Sequence, residues 1–172
     1  LEGLSIGRLA AETGMSKSGL FAHFGSKEEL QLATIELAEE IFREEVMTPA
    51  LAVEGVARVR ALSEGFIAHI DRQVFPGGCF FASAAAEMDT RPGRVRDRVL
   101  ATLGLWSGLF LEGLEVARAR GEIAESSDPA QLTFEINAML AQANGLFLLH
   151  DDTRYFDMAR RAIADRLERA AV

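Results

Sequence analysis

Cysteine is almost absent. Cys79 is the single one in 172 residues. It cannot close an internal disulfide, so no disulfide framework holds this chain, and the usage suits a reducing cytoplasm. Proline is nearly as scarce, and Pro49, Pro76, Pro92 and Pro129 each stand near an expected helix boundary. Long apolar runs are missing. The best candidate, Leu103 to Leu114, is broken by Gly104, Ser107, Gly108 and Glu112, short of the roughly 18 residues a membrane span needs. No basic-then-apolar leader is visible. The chain opens Leu1-Glu2-Gly3, without Met, so its true N-terminus is expected to lie upstream. Strand-like alternation of Val, Ile and Thr never lasts. His23, His69 and His150 are scattered, and there is no Ser/His/Asp order, phosphate-binding glycine loop or metal-ligand spacing. No enzyme activity, metal or cofactor is therefore expected. Cys79 reads as a structural thiol, since a redox sensor needs an exposed thiol of low pKa.

Positive charge is in deficit as well: 18 Lys and Arg stand against 26 Asp and Glu, a net charge of -8. That excludes a basic nucleic-acid coat protein. It does not exclude a small DNA-reading patch on an acidic body, because distribution decides. Residues 1–27 carry Arg8, Lys17 and Lys27 against Glu2 and Glu12 and are near neutral.

What the chain has is helix signals and, at 49% hydrophobic residues, enough apolar mass for a packed core. Ser5 can cap a short helix to about Thr13, which Gly14 ends in a left-handed conformation. Ser16 caps a second, to about Phe24, stopped by Gly25. Ser26-Lys27-Glu28-Glu29 reads as a capping box opening a long helix with Leu30, Ala33, Leu37 and Ile41 on one face. Further helices are expected from Leu51 to Val74, Cys79 to Met88, Pro92 to Arg120, Asp128 to Leu149, and from an Asp152 cap to Ala170. Asp128-Pro129-Ala130-Gln131 supplies an N-cap, a first-position proline and a capping-box glutamine. The expected fold is all-α: two short helices, a long connector and an antiparallel bundle of five.

Two short helices joined by a Gly turn form a helix-turn-helix pattern. Ile6, Leu9 and Ala10 give the first an inner face, against which Met15, Leu20 and Phe24 would pack the second. The second helix then presents Ser16, Lys17, Ser18, Gly19, Phe21, Ala22 and His23 to a major groove. Lys17 is best placed for a base or phosphate contact. Free amides at the helix starts near Ser5 and Ser26, with Lys27 and His23 beside them, would hold phosphates and fix position without reading sequence.

The run Leu20-Phe21-Ala22-His23-Phe24-Gly25-Ser26-Lys27-Glu28-Glu29-Leu30 resembles the signature of the TetR family of bacterial regulators over residues 3 to about 38. The resemblance implies a DNA-binding domain at 1–48, N-terminally incomplete because the family places another helix before this segment. It implies a ligand-binding and dimerisation domain at 49–172. It also implies a repressor-type regulator acting on a double-stranded operator, answering to a small-molecule effector and forming a homodimer through its last two long helices, with no role for a membrane. Phe21 and Ala22 depart from the aromatic pair frequent at these positions. With the acidic charge and the absent helix, they leave open a helical binding protein that does not read DNA.

Candidate effector-lining residues are Phe66, Ile70, Phe81, Met88, Trp106, Phe110, Phe134 and Asn137, apolar with one polar anchor. The same aromatics at helical spacing serve equally as core. Asn137 and Asn144 share a helix face and suit either a ligand or an interface. Gly104 and Gly108, four apart, suit close helix approach. For the dimer, Leu132, Ile136, Met139, Ala143 and Leu146 form one stripe, and Phe156, Ala159, Ile163 and Leu167 another.

Overall fold

The computed structural model describes residues 1–88 and 90–171. Among them the regular elements are helical, and no strand occurs. Helix α1, Ile6–Thr13, begins where the Ser5 hydroxyl accepts from the Arg8 amide at 3.2 Å and ends at Gly14, φ 70°. A side chain there would meet the left-handed penalty, so glycine sets this turn. Helix α2, Lys17–Phe24, is capped by Ser16, which accepts from the Gly19 amide at 3.0 Å. Helix α3, Lys27–Phe42, is capped by Ser26, which accepts from the Glu29 amide at 3.1 Å. The expected capping box is only half formed. The Glu29 carboxylate turns outward to Arg94, because an ionised donor outcompetes a neutral amide.

Two packing expectations in this part are corrected. Leu20 is buried, but Met15 is 54% exposed and does not pin α2 to α1. On α3 the buried residues are Leu30, Ile35, Ala38 and Phe42, while Ala33 and Leu37 face outward, Leu37 at 59% exposure. Two adjoining stripes of α3 carry apolar residues at helical spacing. The partner helix chooses between them, and the period alone cannot.

Helix α3 runs into a π-turn, Arg43–Met47, in which the Thr48 amide bonds the Arg43 carbonyl, and then into the short α4, Thr48–Ala50. The ring of Pro49 would strike the carbonyl four residues back in a regular helix. The wider turn relieves that clash. Helix α5, Gly55–Asp71, is shorter than expected at both ends. Its start is fixed by the Glu122 carboxylate, which accepts from the Val56 amide at 2.8 Å. Then follow α6 (Phe80–Met88), α7 (Arg94–Ala119), α8 (Pro129–His150) and α9 (Arg154–Ala170). Asp128 caps α8 by accepting from the Ala130 amide at 2.9 Å, but the Gln131 side chain donates to Glu135 instead of closing a box.

Helix α7 is the spine of the body. It packs against α5, α8, α6 and, across the junction, α3, while α8 and α9 pair along their length. Phe42, Leu62, Phe110, Leu114, Ile136 and Phe156 sit in one continuous apolar core, whose removal from water is the main force holding the helices together. The core extends across the junction, since Ile35 and Phe42 of α3 belong to it. Gly104 and Gly108 do not mediate close approach: a Cβ on either would meet nothing within 4 Å. The tight crossing is at Gly113, where a Cβ would lie 3.3 Å from Val59 and 3.4 Å from the Gly55 carbonyl. Contrary to the sequence reading, α7 is long and apolar enough to cross a membrane by length and composition alone. Its Val99, Trp106, Phe110 and Leu114 are instead buried in the body, and a core helix passes the same test.

Candidate nucleic-acid interface

Helices α1 and α2 present the candidate reading surface. The three helix starts are built alike, each with a serine hydroxyl holding an amide of the first turn. Ser5, Ser16, Lys17, Ser18, Gly19, Phe21, Ala22, His23 and Lys27 are all exposed. Ser16 and Ser18 share a hydroxyl contact at 3.3 Å. The Lys17 stem lies across α1, its Cε 3.6 Å from where a Gly7 Cβ would stand, which carries the ammonium into the groove between the two helices. That groove is walled by Ile6, Gly7, Lys17, Ser18, Phe21 and Ala22. No ion pair engages Lys17 among the described residues, so its charge is available to an anion. Phe21 projects its ring outward, and His23 stands edge-on to Phe24 at 4.6 Å. Lys27 differs from the rest: its ammonium donates to the Glu2 carbonyl at 2.8 Å and lies 3.9 Å from the Glu2 carboxylate. The Glu2 carboxylate is itself held below its ordinary range, chiefly by a hydrogen bond from Arg91.

The unit is fastened to the body by charge. Arg94 on α7 reaches Glu28 at 2.9 Å and Glu29, both in the first turn of α3. Arg98, one turn on, grips Glu39, which also accepts from the Thr102 hydroxyl. These partners stand 59 to 66 residues apart in the chain, and sequence reasoning missed them. A second tie lies at the far end of α3. His69 of α5 is 1% exposed and its Nδ1 lies 3.0 Å from the Glu45 carboxylate, which Arg72 also approaches at 2.8 Å. The His69 hydrogen bond holds Glu45 below the ordinary carboxylate range against the opposing effect of burial, with a lesser contribution from Arg72.

Of the candidate effector-lining residues, Phe66, Ile70, Phe81, Met88, Trp106 and Phe110 are buried in the body core. Four of them are joined by rings: Trp106 lies 5.7 Å from Phe66 and 4.8 Å from Phe110, and Phe42 bridges Phe66, Phe81 and Trp106. Phe134 and Asn137 lie elsewhere. Phe134 is 69% exposed on the outer face of α8, and Asn137 donates to the Thr133 carbonyl of its own helix. Asn144 is the polar group with a long-range task, its Oδ1 accepting from the Cys79 amide at 3.0 Å at the start of α6. Cys79 is buried, and burial pushes its thiol pKa up.

Most of the residues chosen for a dimer face inward, Met139 and Leu146 excepted. Leu132, Ile136, Phe156, Ile163 and Leu167 are buried within the chain, because α8 and α9 use those faces on each other and on α5 and α7. On the outer face Met139 and Leu146 of the first stripe join Phe134 and Met158 in lining a shallow groove of about 510 Å³ along α8 and α9.

Residues 1–34 match the family described as bacterial regulatory proteins, tetR family, and residues 55–163 match the tetracyclin repressor-like C-terminal domain. The chain superposes on a TetR transcriptional regulator from Chloroflexus aurantiacus J-10-FL with a TM-score of 0.88 at 28% identity, covering 97% of this chain and 85% of that one. It is also similar in fold to SCO4454, a TetR-family transcriptional regulator from Streptomyces coelicolor (TM-score 0.79, 22% identity, 98% and 86% covered). A third likeness is AibR, solved in complex with isovaleryl coenzyme A and operator DNA (TM-score 0.72, 21% identity, 94% and 85% covered). No curated protein matches.

Proposed function

The chain belongs to the TetR family of bacterial DNA-binding transcriptional regulators, and on that premise we propose that it is a cytoplasmic repressor released from its operator by a small-molecule effector. Residues 1–48 form the reading unit and residues 49–172 the effector-binding and dimerising body. The observation that carries the reading is the exposed front of α2. There Lys17, Ser18 and Ala22 line a groove with no intramolecular ion pair on the lysine among the described residues. Lys17 and Ser18 contact base edges or phosphates, Phe21 and Ala22 offer apolar contact to thymine methyls, and His23 and the Ser5 and Ser16 helix starts hold the backbone.

A second copy of the chain docks through the outer face of α8 and α9, where the Phe134, Met139, Leu146 and Met158 groove is covered in the dimer. A two-fold pair of α2 helices about 34–36 Å apart reads successive major grooves. The Phe66, Ile70, Phe81, Met88, Trp106 and Phe110 cluster lines the effector site. AibR was solved in complex with isovaleryl coenzyme A and operator DNA, which supports a fold that takes both a small molecule and DNA. The effector acts by favouring a conformation whose two α2 helices no longer fit adjacent grooves. A coupling of about 1–3 kcal/mol changes occupancy roughly 5- to 150-fold.

The test is footprinting and titration of the purified protein on the DNA upstream of its own gene, over a series of salt concentrations. A discrete two-fold footprint whose affinity falls steeply with salt is expected. Binding without a footprint, or none at low salt, overturns the reading.

A further inference from the structure

Helix α2, Lys17–Phe24, is poor in the side chains that read bases by hydrogen bonds. It has no Arg, Asn, Gln, Asp or Glu, and Lys17 alone is of a type that grips a guanine edge. The Lys17 stem, however, leans back on α1. A Cβ built on Gly7 would meet Lys17 Cε at 3.6 Å and Nζ at 3.8 Å, and Ser5 Oγ at 4.0 Å. The ammonium therefore lies against the first turn of α1, where the leading amides have no acceptor within the helix and draw phosphate. Glycine within a helix costs stability relative to alanine, and here it leaves a path for the lysine stem. A methyl at residue 7 would still clear that stem at ordinary contact. A longer side chain would take its place.

What remains at the front of α2 is apolar. Ile6, Phe21 and Ala22 wall the groove between α1 and α2, and the Phe21 ring stands 59% exposed. Ser18 is the other polar wall. Its hydroxyl is shared with Ser16 at 3.3 Å, and a hydroxyl both donates and accepts, so it favours no one base. The apolar feature that DNA offers in the major groove is the C5-methyl of thymine. A projecting ring beside the short Ala22 side chain makes a wall and a gap, the shape that receives a methyl group.

We propose that the protein selects its operator by thymine C5-methyl groups received against Phe21 and Ala22, while Gly7 is a positioning residue that commits Lys17 to a backbone phosphate. The inference rests on the DNA-reading assignment above and divides the labour within it. Lys17 supplies affinity and salt dependence, because a phosphate contact holds position without reading sequence. Phe21 supplies the discrimination. Gly7 touches neither base nor phosphate and acts through the lysine that lies over it.

The probes are two duplexes of the footprinted upstream DNA, one natural and one made with deoxyuridine in place of thymidine. The second lacks the methyl groups and keeps every hydrogen-bonding edge. The unsubstituted protein is expected to bind the uracil duplex about fourfold more weakly for each methyl contacted. Phe21→Ala is expected to bind the natural duplex more weakly and to treat the two duplexes alike. A change in DNA shape would act on both proteins equally, so this loss of preference assigns the effect to the ring. Lys17→Ala keeps the preference and lowers the salt slope by about one phosphate contact. Gly7→Ala binds like the unsubstituted protein. Gly7→Leu lowers the salt slope by about one, and adding it to Lys17→Ala changes nothing further. If Gly7→Leu does not fold, nuclear Overhauser contacts from the Lys17 ε protons to the Gly7 α protons decide its role, and the chain has only Lys17 and Lys27 to assign. Indifference to uracil in the unsubstituted protein, or a preference that survives in Phe21→Ala, overturns the methyl reading. Lys17→Ala that relaxes the choice at a single guanine overturns the phosphate assignment. An additive loss in the double variant, or absent contacts to Gly7, overturns the positioning role. No footprint at all overturns the regulator reading and this division with it, whereas a footprint indifferent to uracil overturns the methyl reading alone.

Discussion

Arg98 of α7 holds Glu39 of α3 through its Nε, 2.9 and 3.0 Å from the two carboxylate oxygens, with Nη2 on the same group. Glu39 is mostly buried and Arg98 half in solvent. The pair joins the long helix of the reading unit to the spine of the body. A double-mutant cycle with Arg98→Ala and Glu39→Ala, read by chemical denaturation, is expected to give a coupling of about 1 kcal/mol, since solvent at Arg98 screens the pair. Both single variants are expected to weaken the effect of effector on operator affinity more than they change affinity without it. Equal changes in the two would place the pair outside the coupling.

Gly78 has φ 70°, and a Cβ there would stand 2.4 Å from Asn144 Oδ1 and 2.9 Å from Leu148 Cδ1. Gly78→Ala therefore combines backbone strain with a clash and is expected to cost about 2–3 kcal/mol. Asn144→Ala leaves the Cys79 amide buried without its acceptor, at about 1–3 kcal/mol. Urea unfolding midpoints measure both.

Burial holds the Cys79 thiol protonated at neutral pH. Its reaction with a disulfide reagent is expected to proceed at the rate of protein opening, with all of the thiol released at once in denaturant. Rapid stoichiometric labelling of the folded protein would show an accessible thiolate instead.

Glu45 titrates below the ordinary carboxylate range because His69 and Arg72 favour its ionised form. A carboxyl depressed on folding adds stability that is present above its unfolded value and is lost as the pH falls through its folded value. Melting temperature is therefore expected to drop as pH goes from about 5 downward, and Glu45→Gln to lessen that drop while lowering stability at neutral pH. A variant with the same acid slope as the unsubstituted protein would contradict this.

The helix order, the serine caps and the Gly14 turn were legible because each signal is local: a cap acts within three residues and a turn within four. The family signature was legible for the same reason, being one unbroken run from Leu20 to Leu30. What escaped depends on residues far apart. Glu122 caps α5 from 66 residues away, Arg94 diverts Glu29 from its expected box, and His69, one of three scattered histidines, gains its meaning only beside Glu45. Helical period placed apolar stripes on α3, α8 and α9 without telling inner face from outer. Leu37 was thus expected inside and Ile136 at an interface, the reverse of where packing puts them.

The central claim is that α2 reads DNA through its exposed front, and Lys17 is its most specific element. Fluorescence anisotropy of the protein and of Lys17→Ala on its upstream duplex, over a salt series, tests it most directly. Lys17→Ala is expected to bind about tenfold more weakly and to lower the salt slope by about one phosphate contact. Equal affinity and an equal slope for the two proteins would contradict the account.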